Sequence, residues 1–512
     1  MTRHYLHSRR ELLRIAAGST IAAGIAAQGW QPAALAAQES DLSFDFSGSG
    51  IEIPGDDVTF RTLTSGPGPK GVFLQEMFDA YHGVHANVKV EYDQMGWNDI
   101  AQIVPLGVRN GNAHDVFQIP NNVPASQAVN EGWVAALDDL IPDIETWKAG
   151  FPEGSFLNGF SDFNGKTYTF PVSSNKRYGT LCLYNRDYMT QAGFDPETTP
   201  LTWDQFREAA RKITEQGDGE YYGLILEGNQ PDRFGEWVRN LARMAGAMSG
   251  PMDIDWRTGK YIYTDDQYVA ATELLLAIND DGSVFPGSLA LNANEARAQT
   301  AQGVVGMILQ GPWNIPTWQA SNPEFDFGVA SQPVPNSGDP VPLTVGPGGS
   351  NAFWIYAKSP NQQVAADIFH YLGTAEGQTN WAKRVGIADA ATFPEAMAAA
   401  NLDERSQKAA DLFTEQIRQG PDPRVKNPEA EAIFAEMKAL TPNFGATIQG
   451  LFAGAITDVK AALQDLQDRS DAELDRAIVA AQAKGANVSR DDFVFPNWDP
   501  AVDYTAEMYD AL

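Results

Sequence analysis

Few residue types are available to do chemistry in this chain. There are six histidines and a single cysteine, Cys182. One cysteine makes neither an internal disulfide nor a structural zinc site. His82 and His85 (HGVH) have a metal-like spacing, but no cysteine or carboxylate cluster lies near them in sequence, so they read as surface residues of a helix-to-strand turn. No GxSxG or HExxH pattern stands out. Gly66-Pro67-Gly68 lacks the GxxxxGK[ST] order, and the prolines here deny a phosphate cradle the N–H groups it requires. It reads instead as a ligand-side loop. No metal ligand, cofactor motif or catalytic residue is assigned. A hydrolase of sugars would need two opposed carboxylates, and among 66 Asp and Glu no pair stands apart.

What remains is aromatic and polar surface. Val304 to Leu309 is a short apolar run, long enough for a buried strand and too short for a helix. Gln310-Gly311-Pro312-Trp313 ends it and leaves an indole at its mouth. An aromatic at a strand's carboxyl end can wall a ligand crevice in an open α/β sheet, or it can be core.

The elements that would position such a residue follow an alternating order. Val58 to Leu63, Val88 to Tyr92 and Asp115 to Ile119 read as strands, with helices over 72–81, 99–108 and from Ala125. This alternation predicts a parallel sheet under right-handed crossovers. Asn164-Gly165 marks a hairpin, and a strand runs to Tyr184. Thr202 caps a helix from Trp203 whose apolar face is Phe206, Ala209, Ala210 and Ile213. A second alternating set follows: strand 222–226, helices 234–245 and 265–279, and the strand before Trp313. Strand 352–357 and a helix over 361–372 come next, and the remainder is helical, with final helices over 448–466 and 471–483. The last residues have no strong period and are expected to pack back on the body.

At 512 residues the chain should hold more than one core. Its formal net charge of −30 disfavours nucleic acid and anionic membranes as partners. Ser8-Arg9-Arg10-Glu11-Leu12-Leu13-Arg14 resembles a twin-arginine export signal, followed by an Ala/Gly-rich run and the cleavage-like Ala34-Leu35-Ala36. Residues 1–37 are therefore read as a signal peptide and 38–57 as a polar linker, predicting an exported, soluble protein.

Several segments together resemble the extracellular solute-binding proteins of ABC importers, in the carbohydrate-binding branch that includes maltose-binding protein. These are Ala113-His114-Asp115-Val116-Phe117, Asn164-Gly165-Lys166-Thr167-Tyr168 with Leu183-Tyr184-Asn185-Arg186-Asp187, and Leu201-Thr202-Trp203-Asp204-Gln205-Phe206. Gly306-Met307 with Gly311-Pro312-Trp313, and Gly348-Gly349-Ser350 with Ser359-Pro360-Asn361, complete the set. The likeness spans roughly 58–484. The missing lipid-attachment cysteine, the twin-arginine signal and the extra tail depart from it.

The resemblance implies a two-lobed periplasmic-binding-protein-like α/β fold of type II with a helical C-terminal region. It places 58–172 plus 343–387 in one lobe, 173–342 plus 388–486 in the other, and 487–512 in a tail, with crossings near 171–180, 332–342 and 387. A carbohydrate would sit between the lobes of a monomer, without cofactor, and be handed to membrane permease subunits.

A sugar needs flat apolar faces and planar polar groups. Trp313, Trp237 and Phe234 are the aromatic candidates, with the core face of their helix as the alternative for the last two. Gln118 and Asn121 follow the third strand where the resemblance places polar ligands, with Asn122 behind them. Trp97 is either a cleft aromatic or an N-terminal staple. Asn175, Arg177 and Tyr178 sit on the first crossing. Gly349 and Ser350 let backbone approach a ligand or serve a bulge. Phe444 and Thr447 are further candidates. Arg177, Lys176 and Arg233 could instead hold an anionic solute such as a glycerol phosphate or a uronate, against the alternative of structural charge.

Overall fold

Val58–Ser65 and Val88–Met95 pair in parallel along their whole length, and Val58–Ser65 also pairs in parallel with Val116–Phe117. Trp354–Ile355 adds to the far edge in the antiparallel sense. The structure, a computed structural model, describes residues 42–66, 68–350 and 352–512. The export signal expected over residues 1–37 lies outside them. The first sheet therefore has the spatial order Trp354–Ile355, Val116–Phe117, Val58–Ser65, Val88–Met95. Helices Pro69–Val84 and Gln362–Leu372 pack on it through Phe73, Met77, Tyr81, Ile368 and Phe369, all buried.

A second sheet has the order Phe327–Ala330, Leu181–Asn185, Val305–Gln310, Tyr222–Leu224. Every residue of Val305–Gln310 is buried, as a strand flanked on both edges and covered on both faces requires. Leu181–Asn185 is antiparallel to both its neighbours, which corrects the expectation of purely parallel sheets. The two misread strands, 181–185 and 354–355, each follow a segment that arrives from the other sheet. Direction of entry is a property of the crossing, and hydrophobic patterning carries no record of it.

Buried side chains sort with the sheets. Two apolar clusters draw on residues between 46 and 172 and between 353 and 396. Two others draw on residues between 178 and 343 and, apart from Ile387, from 409 to 504. The segments between them pair with one another: Gly349–Ser350 with Ser173–Ser174 antiparallel, and Leu343–Val345 with Ile417–Gln419 in parallel.

Local signals are obeyed. Thr202 and Gln205 form a reciprocal capping box on helix Trp203–Gly217. Asn164 and Gly165 both take positive φ between the paired strands 162–163 and 166–167, the backbone of a type I′ turn. Two expectations are corrected. From Leu42 on, the presumed linker is packed: Phe46 is buried, and Phe44 and Phe46 lie against Tyr371 at 6.0 and 4.7 Å. The last helices break elsewhere, as Phe444–Phe452 and a continuous Val459–Ala483. Gly454 at positive φ ends the first, and Asp458 caps the second. The tail packs as expected, burying Phe493, Phe495, Trp498 and Tyr504 in the second core.

Candidate functional site

The carboxyl ends of both sheets carry polar side chains whose hydrogen-bonding capacity is not used up. After strand Val116–Phe117, Gln118 is 1% exposed. Its Oε1 accepts from the Ser65 amide at 2.6 Å, while its Nε2 has no partner among the described residues. Ser65 in turn accepts from Lys70 Nζ at 2.7 Å. Lys70, on the first turn of helix Pro69–Val84, is buried, and burial pushes its ammonium down to about 8 against the favourable field of Asp389.

The second sheet contributes Gln310 and Glu227, both fully buried. Gln310 donates to Glu227, which also accepts from Arg233 Nε at 3.1 Å. Arg233 completes its fork on Glu236 and on the Gly179 carbonyl at 2.7 Å. Glu227 Oε2, Asn314 Oδ1 and Trp313 Nε1 have no hydrogen-bond partner among the described residues. Such orphans are rare in native proteins, and each calls for an explanation.

Trp313 stands where these groups meet. It precedes helix Asn314–Ser321, and its partly buried indole packs against the first core although its chain belongs to the second sheet. A side chain on Gly311 would strike the ring, so this glycine is needed for the indole to fold back over the turn. Arg177 and Arg297 both place their guanidinium carbons 5.5 Å from the indole centroid. Arg177 pairs with Asp389 and donates to the Ala388 carbonyl at 2.6 Å. Arg297, on helix Ala293–Ala301, has Nε without a hydrogen-bond partner among the described residues. Burial pushes its guanidinium down.

The expected site residues thus separate into groups. Trp313 and Arg177 come together, and Gln118 is linked to them only through Ser65 and Lys70. Phe234 and Trp237 do not: both are fully buried in the second core, and the Trp237 N–H is used on the Leu309 carbonyl at 3.2 Å. Their helix turns that face to its own sheet, with Leu241 at i+4 buried beside them. Tyr178 is buried against Phe413 and donates to Gln416 at 2.8 Å. Asn175 donates to the Gly346 carbonyl. Trp97 opens helix Trp97–Asn110 and packs on the cluster of Leu63, Ile100 and Phe117, as a staple would. Asn121 and Asn122 are exposed in a turn. Gly349 leaves room for Pro171, which a Cβ there would strike, so its bare backbone serves the pairing with the first crossing. Ser350 lies in the same paired segment. Phe444 and Thr447 are buried in the second core region, and Lys176 is tied to Asp503 at 3.0 Å. Sequence reading missed Lys70, Glu227, Gln310 and Arg297. Gln310 and Glu227 each follow a strand-like run directly, and that position was the available signal.

The C-terminal region also touches the first body. Arg424 donates to the Gly159 carbonyl at 2.8 Å and lies 3.8 Å over the Phe160 ring, and Asn158 donates to the Pro428 carbonyl at 3.2 Å. Glu431 sits in this contact. Burial pushes its carboxyl up to about 7, against the pull of Arg424 and Ser126 and with a small contribution from Asp422. The neutral acid is therefore the form this contact prefers. Its contribution is full below the ordinary glutamate pKa and is lost as pH rises through about 7. Melting temperature should accordingly fall between about pH 5 and pH 8 by a component that Glu431→Gln removes. An identical pH profile in that variant would clear Glu431 of the effect.

Residues 65–379, more than half of the chain, match the family model of bacterial extracellular solute-binding proteins. The chain belongs to that family. Its fold is the two-lobed one of its solved relatives. The acarbose-binding GacH receptor of Streptomyces glaucescens superposes with a TM-score of 0.62 at 18% identity, covering 82% of this chain and 98% of that one. An Agrobacterium vitis solute-binding protein holding D-mannitol gives 0.55 at 22%, covering 82% and 99%. Among curated sequences, a putative binding protein of Brucella abortus is 22% identical over 62% of this chain and 72% of its own. The diacetylchitobiose-binding protein DasA of Streptomyces coelicolor is 26% identical over 58% and 65%. Among the described residues no helix is long and apolar enough to cross a membrane, and no group of side chains has the makings of a metal site.

Proposed function

We propose that this protein is the extracytoplasmic receptor of an ABC importer, capturing a carbohydrate or a close derivative at the Trp313 opening and presenting it to membrane permease subunits. The observation that carries this reading is the convergence of Gln118 Nε2, Trp313 Nε1, Asn314 Oδ1 and Glu227 Oε2, all without partners among the described residues, at the carboxyl ends of two sheets. A polyhydroxylated solute offers donors and acceptors to such a set, and an indole offers it a flat apolar wall.

The lobes in this reading are 58–172 with 343–387 and 173–342 with 388–486; the partition of the cores favours this division except at the last crossing, where Ala388, Ala391, Phe393 and Ala396 pack in the first core and Ile387 in the second. The packed segment from Leu42 joins the first lobe, and 487–512 joins the second. Closure about the crossings is a hinge motion, driven only as far as the solute prefers the closed form. The protein acts as a monomer and without catalysis. Cys182 is no nucleophile, since burial in the second sheet pushes its thiol up to about 12. Export by the twin-arginine route rests on Arg9-Arg10 and their flanks.

A thermal-shift screen against mono- and oligosaccharides and their derivatives tests the reading. A bound solute raises the melting temperature, by about 2.7 kcal/mol of added stability at a hundred times its dissociation constant. Chromatography should recover that solute unaltered. Conversion of a sugar would replace this reading with that of a hydrolase.

A further inference from the structure

The cations around Trp313 are not balanced. Asp389 answers Arg177, and Glu227 and Glu236 answer Arg233. Arg297 and Lys70 have no carboxylate within ion-pairing distance among the described residues; the Lys70 ammonium donates to the Ser65 hydroxyl, and Arg297 makes a 3.4 Å hydrogen bond to Asn294 beside its approach to the Trp313 ring. A chain with a formal charge of −30 thus keeps two buried or half-buried cations without a direct ion pair at one place, each sharing a carboxylate that already pairs with another arginine, Asp389 with Arg177 and Glu227 with Arg233. Buried charge is normally paired, because desolvation is costly. An unpaired cation in an opening is a site candidate in its own right.

The two cations also come from different lobes. Lys70 opens a helix of the first body, where burial opposes its charge, the field of Asp389 favours it and that of Arg177 opposes it. Arg297 rides on a helix of the second body, where burial opposes its charge, Glu227 favours it and Arg233 opposes it. The Trp313 ring, meanwhile, is already approached by two guanidinium groups, so part of its surface is covered against a neutral sugar.

Resting on the receptor reading above, we propose that the solute is a sugar or polyol derivative bearing an anionic group, a carboxylate or a phosphate, held at Trp313 by Arg297 from one lobe and Lys70 from the other. Closing the lobes concentrates positive charge at one point, which opposes closure of the empty protein. An anion reverses the sign of that interaction, so it binds the closed form selectively, which is what a solute must do to drive closure. Arg297 matches either anion with its planar fork, and Lys70 adds a point charge.

Calorimetry on the mature chain with matched pairs tests this: glucuronate against glucose, and glycerol 3-phosphate against glycerol. The anionic member of one pair should bind at least about 10-fold more tightly, and which pair responds separates carboxylate from phosphate. That preference should shrink as salt is raised. Arg297→Gln and Lys70→Gln should each reduce it about 10-fold, and Arg297→Lys should recover part of it. Should a variant not fold, the wild-type pairs and their salt dependence still decide. Tight binding of a neutral sugar, indifferent to salt, overturns the anionic proposal and leaves the receptor reading standing. Binding of neither member of either pair, nor of any oligosaccharide, overturns both.

Discussion

Trp313→Ala is expected to weaken solute binding by at least about 30-fold, roughly 2 kcal/mol, the scale for removing a central aromatic from a binding site. The indole joins the two halves of the molecule, standing at the end of the second sheet and packing on the first core. It also organises the cations, since Arg177 and Arg297 both lie over it at 5.5 Å. Its removal therefore takes away a wall of the opening and frees two guanidinium groups from their shared support. Trp313→Phe keeps an aromatic face while losing the unpartnered N–H, and should fall between the two. Calorimetric affinities for the cognate solute, with circular dichroism to verify folding, provide the measurement. Unchanged affinity in the alanine variant would place the site elsewhere.

Asp253→Ala should cost about 3–5 kcal/mol of stability, as breaking a buried ion pair from one side does. The Asp253 carboxylate is 1% exposed and accepts two hydrogen bonds of 2.6 Å from the fork of Arg239. Arg243 approaches at 3.2 Å, and the Tyr268 hydroxyl donates at 2.7 Å. Arg239 and Arg243 together hold this carboxyl below the usual carboxylate range despite its burial. Alanine would leave Arg243 almost without counter-charge in the interior and would force a non-glycine residue without a polar side chain to keep the positive φ of 61°. Urea unfolding of the second lobe would register the loss. A variant within about 1 kcal/mol of wild type would mean that the arginines find other partners or water. Solute affinity, by contrast, should change little where the variant remains folded, because Asp253 is not among the groups around Trp313.

The two substitutions act through different kinds of structure. Asp253 is a closed network in which Arg239 and Arg243 share one buried carboxylate and each is within ion-pairing distance of it. The Trp313 opening is unfinished: Gln118, Asn314, Glu227 and the indole N–H each keep an atom without a partner among the described residues. A folded protein avoids such atoms except where something else supplies the partner. That contrast separates a stability cluster from a binding site more sharply than residue type, since both contain arginine and carboxylate.

Much was settled by sequence alone wherever the cause is local. The Thr202–Gln205 cap, the Asn164-Gly165 turn and the buried strand before Trp313 each depend on a few adjacent residues, and each forms as their types require. The order of these signals was also enough to identify the fold and to put Trp313, Gln118 and Arg177 among the candidate site residues. Tertiary structure decided the rest. Trp237 and Phe234 lie on a helix whose apolar face can meet either the core or a ligand, and only packing chose the core. Tyr178 and Gly349 are occupied by contacts with residues far away in the chain. Arg297 and Lys70 look like ordinary surface cations in their own segments. What distinguishes them is the absence of a carboxylate within ion-pairing distance among the described residues, and a pairing between distant segments cannot be read from either one, because charge is balanced in space rather than along the chain.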